Sequence, residues 1–303
     1  MQTQQDQIWG KQANGQQAAA AEKSKFDPKA FALELRSDIQ QNKIKLPTLP
    51  ALSLEALLVV NDAGSCMADV ARIITKDTSM AARLVRYANS PLYRGTSSVA
   101  SVKTAITRIG MDAVRHAILS LAMRDVFTTG IKSIQVRMET LWQHSVVVAS
   151  KSALLAEYFP HLNRDEAMLA GLIHDVGAIP ILIKAKDHQL LLDDEKKLDK
   201  LVSALHMSVG KFMLSFWNFD PAMIDVAASH DKLDRVPPAE QVDYLDIVQV
   251  ANILSYADCD GHKLSKIDTA KVPAFQRVGI ERIETFKQRI AEEVETELGD
   301  ALH

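Results

Sequence analysis

The sequence predicts an all-α protein, a multi-helix bundle arranged in two helical lobes. Apolar residues recur at helical spacing in one segment after another along the 303 residues. Helix start and stop signals separate these segments, and no alternating run of β-branched residues between turn signals indicates a strand. The chain is 47% hydrophobic and 24% charged, which suits one large core or two smaller ones.

Capping residues mark the first elements. Residues 1–25 are rich in Gln and Ala, which predicts a flexible tail, although the same residues would suit an extra helix. Asp27 and Pro28 fit an N-cap and the first helical position. Two prolines, at positions 47 and 50, precede a helix that starts near Ser53. Gly110 fits the C-cap of the segment "SVKTAITRIG".

A break over residues 128–133 divides the predicted lobes, 26–130 and 131–303. The first lobe continues through "MADVARIITKD", "SMAARLVRYANS" and "MDAVRHAILSLAMRDVF". A long helix over residues 137–158 is expected to open the second lobe. The further predicted segments are "NRDEAMLAGLIHD", "VGAIPILIKAK", "DDEKKLDKLVSAL", "HMSVGKFMLSFW", "PAMIDVAASH", "YLDIVQVANILSYA" and a charged last helix from "IERIETF" onward.

Net charge, cysteine positions and hydropathy indicate the cellular compartment and the class of partner. The net charge of −3 does not indicate a nucleic-acid partner. Cys66 and Cys259 are far apart and form no CxxC pattern, which favours a reduced compartment. No apolar run approaches the ~20 residues of a membrane span, and the N-terminus shows no apolar signal core. We therefore expect a cytoplasmic protein with no membrane partner.

His174 and Asp175 lie side by side in the apolar stretch "AGLIHDVGAIPIL". Two adjacent titratable residues are costly to bury unless other groups pair with them. Such a pair can chelate a metal ion, or it can form hydrogen bonds that only hold helices together. The residues alone leave both interpretations open.

Several segments in a fixed order resemble the HDOD family, a bacterial signalling branch of the HD-domain superfamily. These segments are "LPTLPAL", "VARIITKDTSMAARLVRYANSPLYRG", "SVKTAITRIGMDAVRHAILSLA", "LWQHSVVVAS", "AGLIHDVGAIPIL", "HMSVGKFMLSFWNF" and "AASHD". The resemblance extends from about residue 46 to about residue 260. It implies an HD-like helical bundle and a role in signal transduction.

The resemblance also implies a set of metal ligands. Catalytic HD proteins hold a divalent metal with a first His, the His-Asp pair and a later Asp. Additional histidines hold a second metal in the cyclic-di-GMP phosphodiesterase relatives. The matching positions in this chain are His144, the pair His174 and Asp175, the additional His206 and His230, and Asn252 in place of the last Asp.

Two departures from the catalytic relatives bear on activity. The neutral amide of Asn252 binds a cation more weakly than a carboxylate, although imidazoles and one carboxylate still suit zinc or iron. Ala178 stands where those relatives carry a phosphate-binding Lys, and their Gly-Tyr-Pro signature is absent. We therefore expect a vestigial or weak site that binds at most a divalent transition metal, with no required cofactor and no catalytic residue.

Basic residues concentrate in the first lobe, where Arg83, Arg86 and Arg94 are candidates for contact with an anionic partner. The alternative is a solvated helix face whose charge is balanced by acidic residues elsewhere. Asn89 and Ser90, just before Pro91, are counted with this candidate surface, and the pair is a recognisable feature of the HDOD family. Our main interpretation of the pair is structural: it ends a helix before a turn and locks the first lobe against the second.

These observations favour a non-catalytic signalling module that binds a partner protein or a small regulatory ligand. The alternative function is a metal-dependent phosphohydrolase acting on a nucleotide or cyclic dinucleotide. The sequence has no Gly-rich phosphate loop, no G-x-S-x-G and no HExxH motif, so it does not indicate the enzyme classes that depend on them.

Overall fold

The computed structural model describes residues 26–41, 43, 53, 55–56, 59–60, 64–90, 93, 95, 97–236, 240–257 and 262–292. Within these ranges every regular element is a helix and no strand occurs, which confirms the all-α prediction. The predicted tail, residues 1–25, lies outside the described residues. Ser53 is helical, as its predicted helix start requires.

The first half of the chain forms helices whose ends match the predicted caps. The Asp27 side chain accepts a hydrogen bond from the Lys29 amide at 2.8 Å. Gly110 has a φ of 83°, a left-handed conformation that favours glycine at a helix end. These helices are α1 (Pro28–Gln40), α2 (Met67–Ile74), α3 (Thr78–Asn89), α4 (Val102–Ile109) and α5 (Met111–Val126).

The second half is a longer series of helices in the described part of the chain. They are α6 (Lys132–Ala156), α7 (Arg164–Ile173), α8 (Ala178–Ala185), α9 (Gln189–Leu192), α10 (Glu195–Phe216), α11 (Pro221–Ser229) and α12 (Tyr244–Ser255). Two short 3₁₀ helices then precede α13 (Pro273–Val278) and α14 (Ile280–Glu292).

Two predicted boundaries are wrong. Helix α6 begins at Lys132, five residues before the predicted start, because Ile134 and Met138 continue its buried face toward the N-terminus. The segments "DDEKKLDKLVSAL" and "HMSVGKFMLSFW" belong to one helix, α10. Its buried residues keep one helical face across the join, so no break is needed there.

Helices α6 and α7 form the centre of the fold, and α7 also packs against α5 and α12. Gly171 permits the close approach of α6 and α7. A Cβ atom at this position would lie 2.7 Å from the Ala149 Cα, closer than real Cβ contacts allow. The tight crossing sets the position of the chain that follows α7, where His174 and Asp175 lie.

Helix α1 packs against α8, on the far side of the predicted lobe boundary. Lys184 of α8 donates a hydrogen bond to Asp38 at 2.5 Å and pairs with Glu34 at 3.6 Å. The lobe assignment remains a prediction, and α1 contacts residues assigned to the second lobe.

One stretch, Arg164–Ala185, has the length and hydropathy of a membrane span. Its most apolar window is 83% buried inside the protein. This stretch covers α7 and α8, and its apolar side chains pack in the protein core.

Candidate metal centre

The predicted ligand residues converge from five helices and the turns beside them. His144 lies on α6, His206 on α10 and Asn252 on α12. His174 and Asp175 lie in the turn between α7 and α8. His230 directly follows α11. Four of these residues line an open cleft of about 720 Å³, namely His144, Asp175, His206 and Asn252.

Gly177 sets how closely the His-Asp turn approaches α10. A Cβ atom at Gly177 would lie 2.0 Å from the backbone oxygen of His206 and 2.3 Å from the amide nitrogen of Gly210. Any side chain would therefore push the two segments apart. The glycine thus brings Asp175 next to His206.

The first group of candidate ligands is His144, His174 and Asp175. The Nε2 atoms of the two histidines are 3.2 Å apart. Asp175 Oδ2 lies 3.9 Å from His144 Nε2 and 3.5 Å from His174 Nε2. Three ligand atoms this close together can hold one metal ion.

The second group is Asp175, His206 and His230. The two Nε2 atoms are again 3.2 Å apart. Asp175 Oδ1 lies 3.6 Å from His206 Nε2 and 3.1 Å from His230 Nε2. One carboxylate therefore faces both histidine pairs, with one oxygen toward each.

Backbone carbonyls fix the orientation of three of these imidazoles. The Nδ1 atom of His174 lies 2.7 Å from the Gly171 oxygen, that of His206 3.0 Å from the Val202 oxygen, and that of His230 3.2 Å from the Val226 oxygen. A proton on Nδ1 donates to each carbonyl. Each Nε2 atom is then directed at the centre, as in metal-binding histidines.

Burial and mutual charge shift the ionisation of these groups. Burial lowers the pKa of His174 to about 3 and also lowers the pKa of His144. Burial opposes ionisation of Asp175, yet the surrounding imidazoles hold its pKa well below the usual value. Burial opposes protonation of His230, but its hydrogen bond to Asp175 and the carboxylate charge raise its pKa overall.

The side-chain amide oxygen of Asn252 is suited to bind a metal ion. Its side chain is 4% exposed and lines the cleft, and its Oδ1 atom has no hydrogen-bond partner among the described residues. A buried oxygen without a partner is costly unless it binds a cation or water. Imidazole nitrogens, a carboxylate and an amide oxygen together suit a transition metal better than magnesium.

Three further residues of the cleft were not predicted as site residues. Asp231 lies 3.8 Å from His206 Nε2 and 3.2 Å from Lys263 Nζ, and it follows His230 directly in "ASHD". Tyr256 stacks on His144 with ring centroids 4.8 Å apart. His262 caps a 3₁₀ helix and also lines the cleft.

The predicted basic surface is only partly exposed. Arg83 is half-buried, donates to the Leu121 oxygen at 3.3 Å and pairs with Asp125 at 3.6 Å. Arg86 is exposed, whereas Arg94 lies outside the described residues. An acidic residue of the same chain, Asp125, thus balances the charge of Arg83.

Asn89 and Ser90 make contacts typical of a helix end. The Asn89 amide group donates to the Val99 oxygen at 2.8 Å and accepts from the Val99 amide at 2.8 Å. The Ser90 hydroxyl donates to the Tyr87 oxygen at 2.8 Å. Both side chains thus support the turn after α3, and their part in partner binding stays a prediction.

Solved structures share this fold. A Shewanella amazonensis protein named as a candidate metal-dependent phosphohydrolase is 23% identical, with a TM-score of 0.72 over 91% of this chain and 99% of that one. An HDOD domain protein of unknown function from Geobacter sulfurreducens is 25% identical, with a TM-score of 0.69 over 89% and 98%. A candidate signal transduction protein from Marinobacter aquaeolei is 19% identical, with a TM-score of 0.57 over 91% and 65%.

No curated protein matches the chain. A family model described as the HDOD domain matches residues 46–233, more than half of the chain. The match ends before Asn252, although the resemblance in the sequence extends to about residue 260. This match shows that the chain belongs to the HDOD domain family.

Proposed function

We propose that the protein is a non-catalytic signalling module whose cleft binds a regulatory ligand or partner without turnover and holds a transition metal. Ala178 carries this proposal. It lies on the cleft wall, 1% exposed, at the position where catalytic relatives carry a phosphate-binding Lys. A methyl group there cannot stabilise the charge that develops during phosphodiester cleavage.

The charges around the cleft support binding over turnover. Arg137 pairs with Asp199 at 2.5 Å, and Lys263 pairs with Asp231 at 3.2 Å. All four side chains line the cleft, so carboxylates offset two of its cations. A transferring phosphoryl group needs cations directed at it, and these two are directed at protein carboxylates.

The residues that would hold the metal form two overlapping groups. His144, His174 and Asp175 form the first, beside Asn252, and Asp175 shares the second with His206 and His230. A bound ion would supply positive charge for an anionic group of the ligand. Asp175 orients both groups, and the backbone carbonyls hold Nε2 of His174, His206 and His230 toward the centre.

The second candidate function is a metal-dependent phosphohydrolase acting on a nucleotide or cyclic dinucleotide. One observation favours it: two histidine pairs share a carboxylate, an arrangement that suits two neighbouring ions. The loss of the carboxylate at Asn252 and of the lysine at Ala178 weighs against it.

A phosphodiesterase assay on the full chain separates the two functions. Protein loaded with zinc, manganese or iron is incubated with bis-p-nitrophenyl phosphate, nucleotides and cyclic dinucleotides, with His174→Ala as the control. The proposal expects no turnover above that control and metal uptake that depends on His174. Turnover by the wild type that His174→Ala abolishes would establish the phosphohydrolase instead. The double variant Ala178→Lys, Asn252→Asp tests whether the two missing groups restore cleavage.

A further inference from the structure

Tyr256 lies beside the first group of candidate ligands. It is the residue at the C-terminal end of α12, four positions after Asn252, so both residues lie on one helix face. Its hydroxyl oxygen is 3.5 Å from His144 Nε2. The hydroxyl therefore reaches the region where His144, His174 and Asp175 converge.

Stacked rings hold Tyr256 in this position. One face stacks on His144, with centroids 4.8 Å apart and an interplanar angle of 29°. The ring also stacks on His262, with centroids 3.6 Å apart and an angle of 13°. A ring that stacks on two imidazoles, with its hydroxyl 3.5 Å from His144 Nε2, loses little side-chain freedom when that hydroxyl binds an ion.

The first ligand group carries too little negative charge to balance a bound metal ion. His144 and His174 are neutral when they bind a metal, Asn252 is a neutral amide, and Asp175 carries a single negative charge that both histidine pairs share. Two histidines with one carboxylate are a ligand set typical of ferrous non-haem iron. A phenolate adds a second anionic oxygen, and this extra negative charge favours the more highly charged ferric ion.

We propose that Tyr256 is a metal ligand, whose phenolate oxygen supplies the negative charge absent at Asn252 and makes the first group a site for ferric iron. The site then contains His144, His174, Asp175 and the Tyr256 oxygen. The phenolic proton leaves to the buffer when the oxygen binds the ion, and the iron keeps its oxidation state. This inference rests on the metal binding in the proposed function and adds the ligand and the preferred ion.

The test uses the full chain, freed of metal with a chelator and loaded with an equimolar amount of ferric nitrilotriacetate. A phenolate bound to ferric iron gives a broad visible charge-transfer absorption, which imidazole and carboxylate ligands do not give. We expect this band in the wild type, with phenolate vibrations in its resonance Raman spectrum. Tyr256→Phe keeps the stacked ring but should lose the band and bind ferric iron about tenfold more weakly.

Controls assign the band to this tyrosine. Tyr158→Phe removes a half-buried tyrosine outside the cleft and should keep the band. His174→Ala should lose it with the metal. Because zinc has no visible charge-transfer band, zinc affinity is measured separately and should fall less than ferric affinity in Tyr256→Phe. In Asn252→Asp, where a carboxylate supplies the charge, Tyr256→Phe should weaken ferric binding less than in the wild type.

Two results would overturn the inference and leave the proposed function intact: iron uptake that depends on His174 without a charge-transfer band, or an unchanged band in Tyr256→Phe. If the wild type takes up neither iron nor zinc, the metal-binding part of the proposed function fails as well. Circular dichroism of each variant verifies that the helices remain folded.

Discussion

His206 and His230 face each other through their Nε2 atoms at 3.2 Å, deep inside the protein. Two imidazole lone pairs repel at this distance unless a proton or a cation lies between them. Contact with Asp175 raises the pKa of His230 despite its burial, so the carboxylate favours a proton on this imidazole. Because a metal binds the neutral imidazole, metal binding at this pair should become weaker as the pH falls.

Zinc binding by the wild type should be weak or substoichiometric at His144, His174 and Asp175, because Asn252 replaces a carboxylate. Equilibrium dialysis against zinc measures the number of ions per chain. Asn252→Asp should raise zinc affinity by about tenfold, since it adds a charged ligand. Tight binding of one or two zinc ions by the wild type would show that the site is not degenerate.

Replacing Asp175 with Ala should destabilise the metal-free protein by ~1–3 kcal/mol, because His230 loses a buried hydrogen-bond partner. Thermal melts with a chelator present measure the change. Asp234→Ala, at an exposed carboxylate, is the control and should remain near the wild type. An unchanged melting temperature in Asp175→Ala would mean that the carboxylate contributes nothing to the folded state.

Acid should destabilise the metal-free protein below about pH 6.5. Burial lowers the pKa values of His116, His144 and His174, in the last case to about 3. Between those values and about 6.5 the unfolded chain binds more protons, so each residue removes up to about 1.4 kcal/mol per pH unit. His230 opposes this trend, since its raised pKa contributes stability that is lost as pH rises.

Urea unfolding between about pH 7.5 and pH 5.5, with a chelator present, measures this dependence. Of the three buried histidines with a lowered pKa, only His116 lies outside the metal centre. His116→Gln removes this group, so the free energy of unfolding should fall less steeply as the pH is lowered. Stability that rises on acidification would mean that the protonated His230 outweighs the three neutral histidines.

Gly177→Ala should destabilise the protein by about 1–3 kcal/mol or more, because the new Cβ would overlap the His206 backbone oxygen. It should also weaken metal binding, since the turn that holds Asp175 must move away from α10. Gly130→Ala is a matched control, as no atom lies within 4 Å of its Cβ position. Equal stability of the two variants would contradict the close approach.

The two arginines of α3, Arg83 and Arg86, should differ in how much they contribute to the free energy of unfolding. Arg83→Ala should cost about 1 kcal/mol, because the guanidinium contacts the Leu121 oxygen and Asp125. Arg86→Ala, at an exposed position, should stay within about 0.5 kcal/mol of the wild type. Urea unfolding of both variants measures the difference.

Arg86→Glu tests the anionic-partner surface separately. Once a partner has been identified, this change should weaken its binding more than Lys266→Glu, and the binding should weaken as salt rises. A loss of stability without any change in binding would remove Arg86 from the partner surface.

The sequence predicted the helices well where caps and apolar spacing agree, as at Asp27, Pro28 and Gly110. It divided α10 wrongly because the polar "DDEKK" start and the later "HMSVG" suggested two amphipathic segments. The buried residues of both parts fall on one helical face, which packs against α8. The helical period therefore continues through the join, and the polar residues at the two segment starts do not mark a break.

The candidate metal ligands that the family motifs indicated lie close together in the structure. Two nearby residues that no family motif assigned to the site, Asp231 and Tyr256, were not predicted. Asp231 was visible beside His230 in "ASHD", so its adjacency could have indicated a further carboxylate. Tyr256 had no such signal in the segment "YLDIVQVANILSYA". Its role depends on the rotation of α12, which places positions 252 and 256 over the cleft.

The HDOD match ends at residue 233, but α12 forms part of the cleft wall. A recombinant fragment trimmed to residues 46–233 would lack Asn252, Tyr256 and α1, and would leave the faces of α6 and α8 that they cover open to solvent. Assays on such a fragment would report on an incomplete cleft. Metal and ligand binding are therefore best measured on the whole chain, in which α1 and α12 complete the surroundings of the histidines.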